Sequence, residues 1–430
     1  MEKRISIFLN SKSFDLLKNS LEVIFFISLF ISNLYIYIVN QIISFEIVNF
    51  PDFIASRSLS FIIQCLLIIL YTFEKIYKRK KIILSFNTNW ILLILFYSLF
   101  INIFYFQSLG YLLTINYFYI YLLNVFFMIL LVNDIKDKDR LFGFITNLII
   151  FSTTILSICI IADFFTITNL ESKRISLIGW KENDLSFVLS IGYAILTSYI
   201  ADKKFKNYFK PIILISSSII FIDAILLTGT RASIFVIGFI LTIIFLSLFK
   251  DPINKNIKII LLISNLVFYV SKTTTYKPIT ERFFVDNFTT FGGRIFHWFF
   301  SLKLANQSPV FGVGVENYRS LVFDFFDGRR YGMPENLFIE IYVTAGIFAL
   351  LLLLLLIFYN VVLSFYIYLK MKKISFLIWQ TPLLASTLVL NIRHYKFFFA
   401  FLALYLIREI RYKKNLNIDN KKLFFISRSC

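Results

Sequence analysis

Long apolar runs broken by short polar segments recur along the whole chain. A helix crossing a ~30 Å hydrocarbon core needs about 20 apolar residues, fewer or more with tilt. Twelve runs qualify, near 21–44, 58–73, 90–107, 111–132, 141–165, 184–201, 211–229, 231–249, 257–271, 337–369, 374–391 and 395–410. The pattern predicts an all-α integral membrane protein with about 12 transmembrane helices in a single polytopic domain, 1–430. The first run is too long for a signal-peptide core and lacks a small-residue cleavage site, so it is expected to stay as an anchor. No internal repeat period is visible.

Two polar segments are long enough to build a site, 166–183 and 271–336. In the second, Gly292-Gly293-Arg294 opens a helical stretch near 293–305, stopped by Asn306 and Pro309. At 100° per residue, Arg294, His297, Trp298 and Ser301 share one stripe, and Ile295, Phe296, Phe299, Phe300 and Leu302 cover most of the rest. This predicts a surface helix whose polar stripe faces a cavity and whose Gly-rich start suits a phosphate oxygen. A lid that only packs predicts the same pattern.

Composition supports a membrane class. Apolar residues make up 58% and aromatic residues 19%, against about 45–50% apolar in soluble domains. With 54 Phe, 13 Gly and 7 Pro, disorder and low-complexity sequence are excluded. Three Cys and two His provide neither a disulfide framework nor metal-ligand spacing, so no cofactor is expected. The net charge of +19 does not require a nucleic-acid partner, because cytoplasmic loops collect Lys and Arg.

The basic residues set the orientation. With the N-terminus inside, the inner side holds 29 of the 44 Lys and Arg and the outer side 15, eight of them in 271–336. Loops that long fall outside the rule, so both termini are expected in the cytoplasm. By residue type the bias reverses: Lys divides 23 inside to 6 outside, Arg 6 to 9. The outer nine are Arg57, Arg174, Arg231, Arg282, Arg294, Arg319, Arg329, Arg330 and Arg393. Arg offers a planar fork that grips phosphate or carboxylate bidentately. An outward site for an anionic group follows, with chance and ordinary loop ion pairs as the alternative.

Individual positions sharpen this expectation. Thr228-Gly229-Thr230-Arg231 joins two runs with almost no loop and holds Arg231 at the outer boundary, where a charge is costly unless paired. Ligand contact and snorkelling are its two readings. Asp223 is an intramembrane acid, either a structural partner for another span or a proton site. Within Phe311-Gly312-Val313-Gly314-Val315-Glu316-Asn317-Tyr318-Arg319, two Gly allow a tight turn or close approach to a ligand. Trp298, Tyr318 and Tyr331 have the chemistry to stack on sugars, or to pack. Met333-Pro334-Glu335-Asn336 begins the tenth span. Pro and an acid there suit a helix start, whereas Glu335 beside Arg329 and Arg330 also suits a general base.

Taken together, 174–346 resembles the O-antigen ligase and polymerase family of bacterial inner membranes. The resemblance rests on Arg174-Ile-Ser-Leu-Ile-Gly179-Trp-Lys-Glu-Asn183 and on Thr228-Gly-Thr-Arg231-Ala-Ser233. It rests also on Gly293-Arg294 with Trp298, and on Pro309-Val-Phe-Gly312-Val-Gly314. The last element is Pro334-Glu335-Asn336-Leu-Phe-Ile-Glu340, followed by Gly346. The family's ligases carry His where this chain has Glu335, and its polymerases vary there, which favours a polymerase.

The resemblance implies a membrane glycosyltransferase of the lipid-carrier-using, GT-C-like kind, facing the periplasm and working without metal or nucleotide sugar. Its substrate would be an oligosaccharide on undecaprenyl pyrophosphate, and membrane lipid and a chain-length regulator are candidate partners. Glu335, Arg231 and Arg294 are the expected catalytic residues. Arg174, Arg319, Arg329, Arg330, His297, Trp298, Tyr318 and Asn336 are expected around the substrate and its pyrophosphate. Two other functions remain open: an O-antigen ligase acting on a lipid A core, and a transporter or flippase of anionic lipid-linked substrate using Asp223 and a basic vestibule. Repeated halves and broken midplane spans, common in transporters, are not seen in the sequence.

Overall fold

The computed structural model describes residues 12–30, 52–78, 82, 86–104, 111–166, 182–203, 205, 209–250, 255–275, 294–325, 334, 336–389 and 396–415. Every regular element among these residues is a helix. In chain order they are α1 (Lys12–Phe30), α2 (Asp52–Tyr77), α3 (Phe86–Phe104), α4 (Tyr111–Ile135), α5 (Asp139–Thr166), α6 (Glu182–Asp202) and α7 (Phe209–Leu227). There follow α8 (Arg231–Lys250), α9 (Lys255–Thr275), α10 (Arg294–Gln307), α11 (Val315–Phe325), α12 (Leu337–Met371), α13 (Ser375–Val389) and α14 (Lys396–Asn415).

Helices α10 and α11 fall in the long polar segment between α9 and α12, and each of the others overlies one predicted apolar run. Among the described residues six, α5 to α9 and α12, are long and apolar enough to cross a membrane. The rest carry the expected count of twelve by pattern alone. Helix α1 starts at Lys12, ahead of its predicted run, whose part from 31 to 44 lies outside the described residues. The charged early turns of α1 are helical because Lys18 is paired inside the bundle. Its ammonium meets Asp134 of α4 at 2.5 Å and also Glu74 of α2. A buried cation is tolerated only when so compensated.

Helix α6 is the axle of the bundle. It is buried along almost its whole length and packs against α5, α7, α8, α9 and α13. Small and hydroxylated residues permit this. A side chain at Gly192 would meet Thr153 Oγ1 at 2.2 Å and Phe221 at 2.8 Å, so only glycine lets α5 and α7 approach. Ser190 and Thr197 donate back to the carbonyls of Ser186 and Tyr193, each at 2.7 Å, so neither hydroxyl is left bare. At its C-terminal end, Asp202 accepts the backbone N–H groups of Ile374 and Ser375 at 3.1 and 3.2 Å, opening α13. Asp223 of α7 lies 3.8 Å from the Lys272 ammonium of α9, which favours the structural reading of that acid.

Candidate functional site

The assembly of α10, α11 and the turn between them is built around a break in α12. Gly346 has φ 79° and ψ −174° inside an otherwise continuous helix. The turn after α10 fills the break: Val313 N–H donates to Val343 C=O at 2.7 Å, and Ile347 N–H donates to Pro309 C=O at 2.8 Å. The fit is backbone against backbone. A Cβ on Gly346 would lie 2.0 Å from the Val310 carbonyl oxygen, and one on Gly312 would lie 2.6 Å from the Ala345 nitrogen. Gly312 and Gly314 also take positive φ, 73° and 79°. The close approach expected of this segment is made by Gly312, against the backbone of α12.

Around this seam Leu304, Ala305, Val313, Val315, Tyr318, Val322 and Val343 form a small core of their own. Helix α10 lies where expected, with His297 and Ser301 inward and Phe296 and Phe299 outward at 68% and 69% exposure. Ser301 Oγ donates to the His297 carbonyl at 2.6 Å, and Tyr318 Oη lies 2.8 Å from both Ser301 Oγ and His297 Nε2. One arrangement satisfies all three contacts: Tyr318 donates to Ser301, and an Nε2-protonated His297 donates to Tyr318. Burial raises the Tyr318 pKa, opposed by the Ser301 bond and reinforced by the Glu340 carboxyl nearby.

Burial also lowers the His297 pKa from its ordinary 6.5, favouring the neutral ring. The folded state then binds fewer protons than the unfolded one, so this stabilisation is complete above about pH 6.5 and lost as pH falls. Amide exchange in α10 and α11, corrected for intrinsic rate, should accelerate from about pH 7 to pH 5 relative to the bundle. His297→Gln should flatten that profile. A wild-type profile parallel to that of α6 would contradict the assignment.

Several site expectations are changed by these positions. Tyr318 is fully buried, so it has no exposed face for a sugar; it anchors α11 on α10 instead. The helix start also moves. Asn336 is the N-cap of α12, its Oδ1 accepting Phe338 N–H at 3.0 Å and Ile339 N–H at 3.2 Å. Pro334 and Glu335 therefore precede the cap, and the acid of the first turn is Glu340. The helix-start role proposed for Glu335 is taken by Asn336, because a side-chain acceptor on two free N–H groups is the stronger local cap.

Arg231 begins α8 directly after the turn at Thr228–Thr230, in which Gly229 has φ 60°. It is half-buried. A cation in a helix's first turn opposes the macrodipole, so helix stability does not explain its presence. Beside it lies a cleft little larger than one water molecule, where hydroxyls of Ser186 and Ser190 of α6, Thr230 of the turn, Ser233 of α8 and Ser386 of α13 alternate with apolar Phe187, Val236 and Pro382. The cleft adjoins a long apolar groove between α8, α12 and α13, and Ala232 and Ala385 line both. Phe338, at the start of α12, also lines that groove.

Trp298 and Arg319 are half-buried on α10 and α11. Arg294 opens α10, but its side chain lies outside the described residues, as do Arg174, Arg329, Arg330 and Glu335. Glu340 was not singled out as a site residue from sequence. A lone acid four residues into an apolar run was its signal, and it proves fully buried.

Residues 216–354 match a family model described as O-antigen ligase. No curated protein matches the chain. The matched stretch contains the turn at Arg231, α10, α11 and the break at Gly346, and leaves out the motif from Arg174 to Asn183. Members of this family are glycosyltransferase-like enzymes, ligases or polymerases. On this match the chain carries, over 216–354, the domain of the O-antigen polymerase and ligase family.

Proposed function

We propose that the protein is a surface-polysaccharide polymerase. It transfers a glycan from undecaprenyl pyrophosphate onto a lipid-linked repeat unit at the periplasmic face of the inner membrane, with both termini in the cytoplasm. The observation that carries this reading is Arg231, half-buried at the head of α8 beside a long apolar groove that begins at Ala232. Along α8 that groove runs from Ala232 to Ser247, about 22 Å at 1.5 Å per residue. A pyrophosphate head at Arg231 and an isoprenoid tail in the groove match its polarity at each end.

In the reaction the acceptor hydroxyl attacks the anomeric carbon. The bond from that carbon to the pyrophosphate oxygen breaks, and the hydroxyl proton passes to a base. Arg231 and Arg294 stabilise the charge that develops on the leaving pyrophosphate. Arg174, Arg319, Arg329 and Arg330 add to the outward cationic field, and Trp298 is assigned to stack on the sugar. His297 and Tyr318 act by holding α10 on α11. A chain-length regulator is a candidate partner, and no metal is assigned a role.

Glu335 is proposed as the base. Because Asn336 caps α12, Glu335→Gln should leave the helix start intact and reduce chain extension at least about tenfold, with donor binding retained. Near-normal extension would remove Glu335 from the mechanism. The ligase reading draws on the description of the matched family model. A deletion strain separates the two: loss of a polymerase leaves single repeat units on the surface acceptor. Loss of a ligase leaves none and accumulates polymer on the carrier. Purified protein that moved the lipid-linked glycan across liposomes without lengthening it would favour transport instead.

A further inference from the structure

The turn between α10 and α11 carries apolar side chains at its crown. Gly312 N–H donates to Ser308 C=O at 2.8 Å and closes the turn around Pro309, Val310 and Phe311. All three are exposed, Val310 at 41% and Phe311 at 52%. Turns that face water favour Gly, Pro, Asn, Asp and Ser. A Val-Phe pair at the crown calls for something apolar against it.

The level of the crown relative to a bilayer is set by α12. Ile347 N–H donates to Pro309 C=O at 2.8 Å, so the turn lies beside the break at Gly346. From Leu337 to Ile347 no residue of α12 is exposed. From Phe348 to Leu369 every exposed residue is apolar, Leu351, Phe358 and Phe365 among them, and exposed Lys370, Lys372 and Lys373 follow at once. This band covers about 32 Å at 1.5 Å per residue, which matches a ~30 Å hydrocarbon core. The lysines mark one edge of the core and Phe348 the other. The crown is therefore level with the headgroup layer beyond Phe348, a layer roughly 5–7 Å deep. Apolar side chains at the boundary of headgroups and acyl chains are how interfacial segments hold to a membrane.

We propose that the turn between α10 and α11 is a lipid anchor, with Val310 and Phe311 entering the bilayer edge at Phe348 and packing on the glycerol and upper acyl groups of phospholipid. Because this turn joins α10 to α11 and is itself bonded to α12, the anchor holds both helices at one height over the bilayer. It depends on no assignment of substrate.

The test places a nitroxide on Phe311→Cys, in full-length protein carrying Cys65→Ser, Cys159→Ser and Cys430→Ser, in phosphatidylcholine nanodiscs. Phe358→Cys in the middle of the band and Lys373→Cys beyond it supply the lipid and water references. Spin relaxation by O2 and by a water-soluble nickel chelate reads the position. At Phe311→Cys, O2 should relax the label more than the chelate does, as at Phe358→Cys, and at Lys373→Cys the order should reverse. A Phe311→Cys label relaxed mainly by the chelate would place the crown in water and overturn the inference. Shielding from both reagents would put protein over it, another segment or a second copy, with the same consequence.

The wild-type chain gives a second readout, which decides if the cysteine variant fails to fold. A phosphatidylcholine with a diazirine near the glycerol end of one acyl chain should form adducts on Val310 or Phe311. The same lipid with its diazirine at the far end of the chain should label Phe358 instead. Adducts on Phe358 with none on the turn from either lipid would overturn the anchor.

Discussion

Gly346→Ala is expected to abolish chain extension in a protein whose bundle remains folded. The new Cβ would lie 2.0 Å from the Val310 carbonyl oxygen, 2.4 Å from its carbon and 2.7 Å from the Phe311 nitrogen. All three are backbone atoms, so no side chain can swing away. Holding φ at 79° with ψ at −174°, a region essentially reserved for glycine, adds roughly 1–3 kcal/mol for a residue with a Cβ. The relief available is to lift the turn off α12, breaking the bonds Val313–Val343 and Ile347–Pro309. The seat of α10 and α11 goes with it.

Below the break, α12 still packs against α3 and α13, so the bundle should keep its melting behaviour. Misplacing a substrate-facing element by about 1 Å can cost 10²-fold, and a loss of at least about that size in single-turnover extension is expected. Gly238→Ala is the matched control, because nothing lies within 4 Å of a Cβ there. Wild-type extension by Gly346→Ala would show that the docked turn is irrelevant to the chemistry.

Arg231→Lys should lower kcat by about 10²–10³, the usual cost of removing one preorganised transition-state donor. Lysine keeps the charge at the boundary but loses the planar fork that can bind two phosphate oxygens at once. The position makes this a clean comparison. Arg231 is half-buried at the start of α8, and the helix dipole works against it, so neither cap nor helix stability should suffer. Expression and thermal melting in detergent should match wild type. Undiminished turnover by the lysine variant would mean that plain charge suffices, and by Arg231→Ala that the residue has no role.

Much of the helix arrangement was legible in the sequence because each apolar run is a local, periodic signal. The polar stripe of α10 was legible for the same reason: His297 and Ser301 face inward as the 100° rule requires. Helix α11 was hidden. It follows a turn with two glycines, and its inward positions Val315, Tyr318 and Val322 are too few to stand out among so many aromatics. At α12 the local rules competed, and Pro334 with Glu335 pointed to a start that the Asn336 cap placed further on.

The sequence by itself determined a helical membrane class, the near-absence of a loop before Arg231 and the amphipathic faces of α10. These are properties of spacing and residue chemistry within a few turns of chain. Only the tertiary structure decided that Gly312 lies against the backbone of α12, and that Tyr318 closes on His297 and Ser301. It also decided that a long apolar groove begins at Ala232, next to Arg231. Each of these joins residues tens to more than a hundred positions apart. Their pairing depends on how whole helices pack, which local periodicity does not encode.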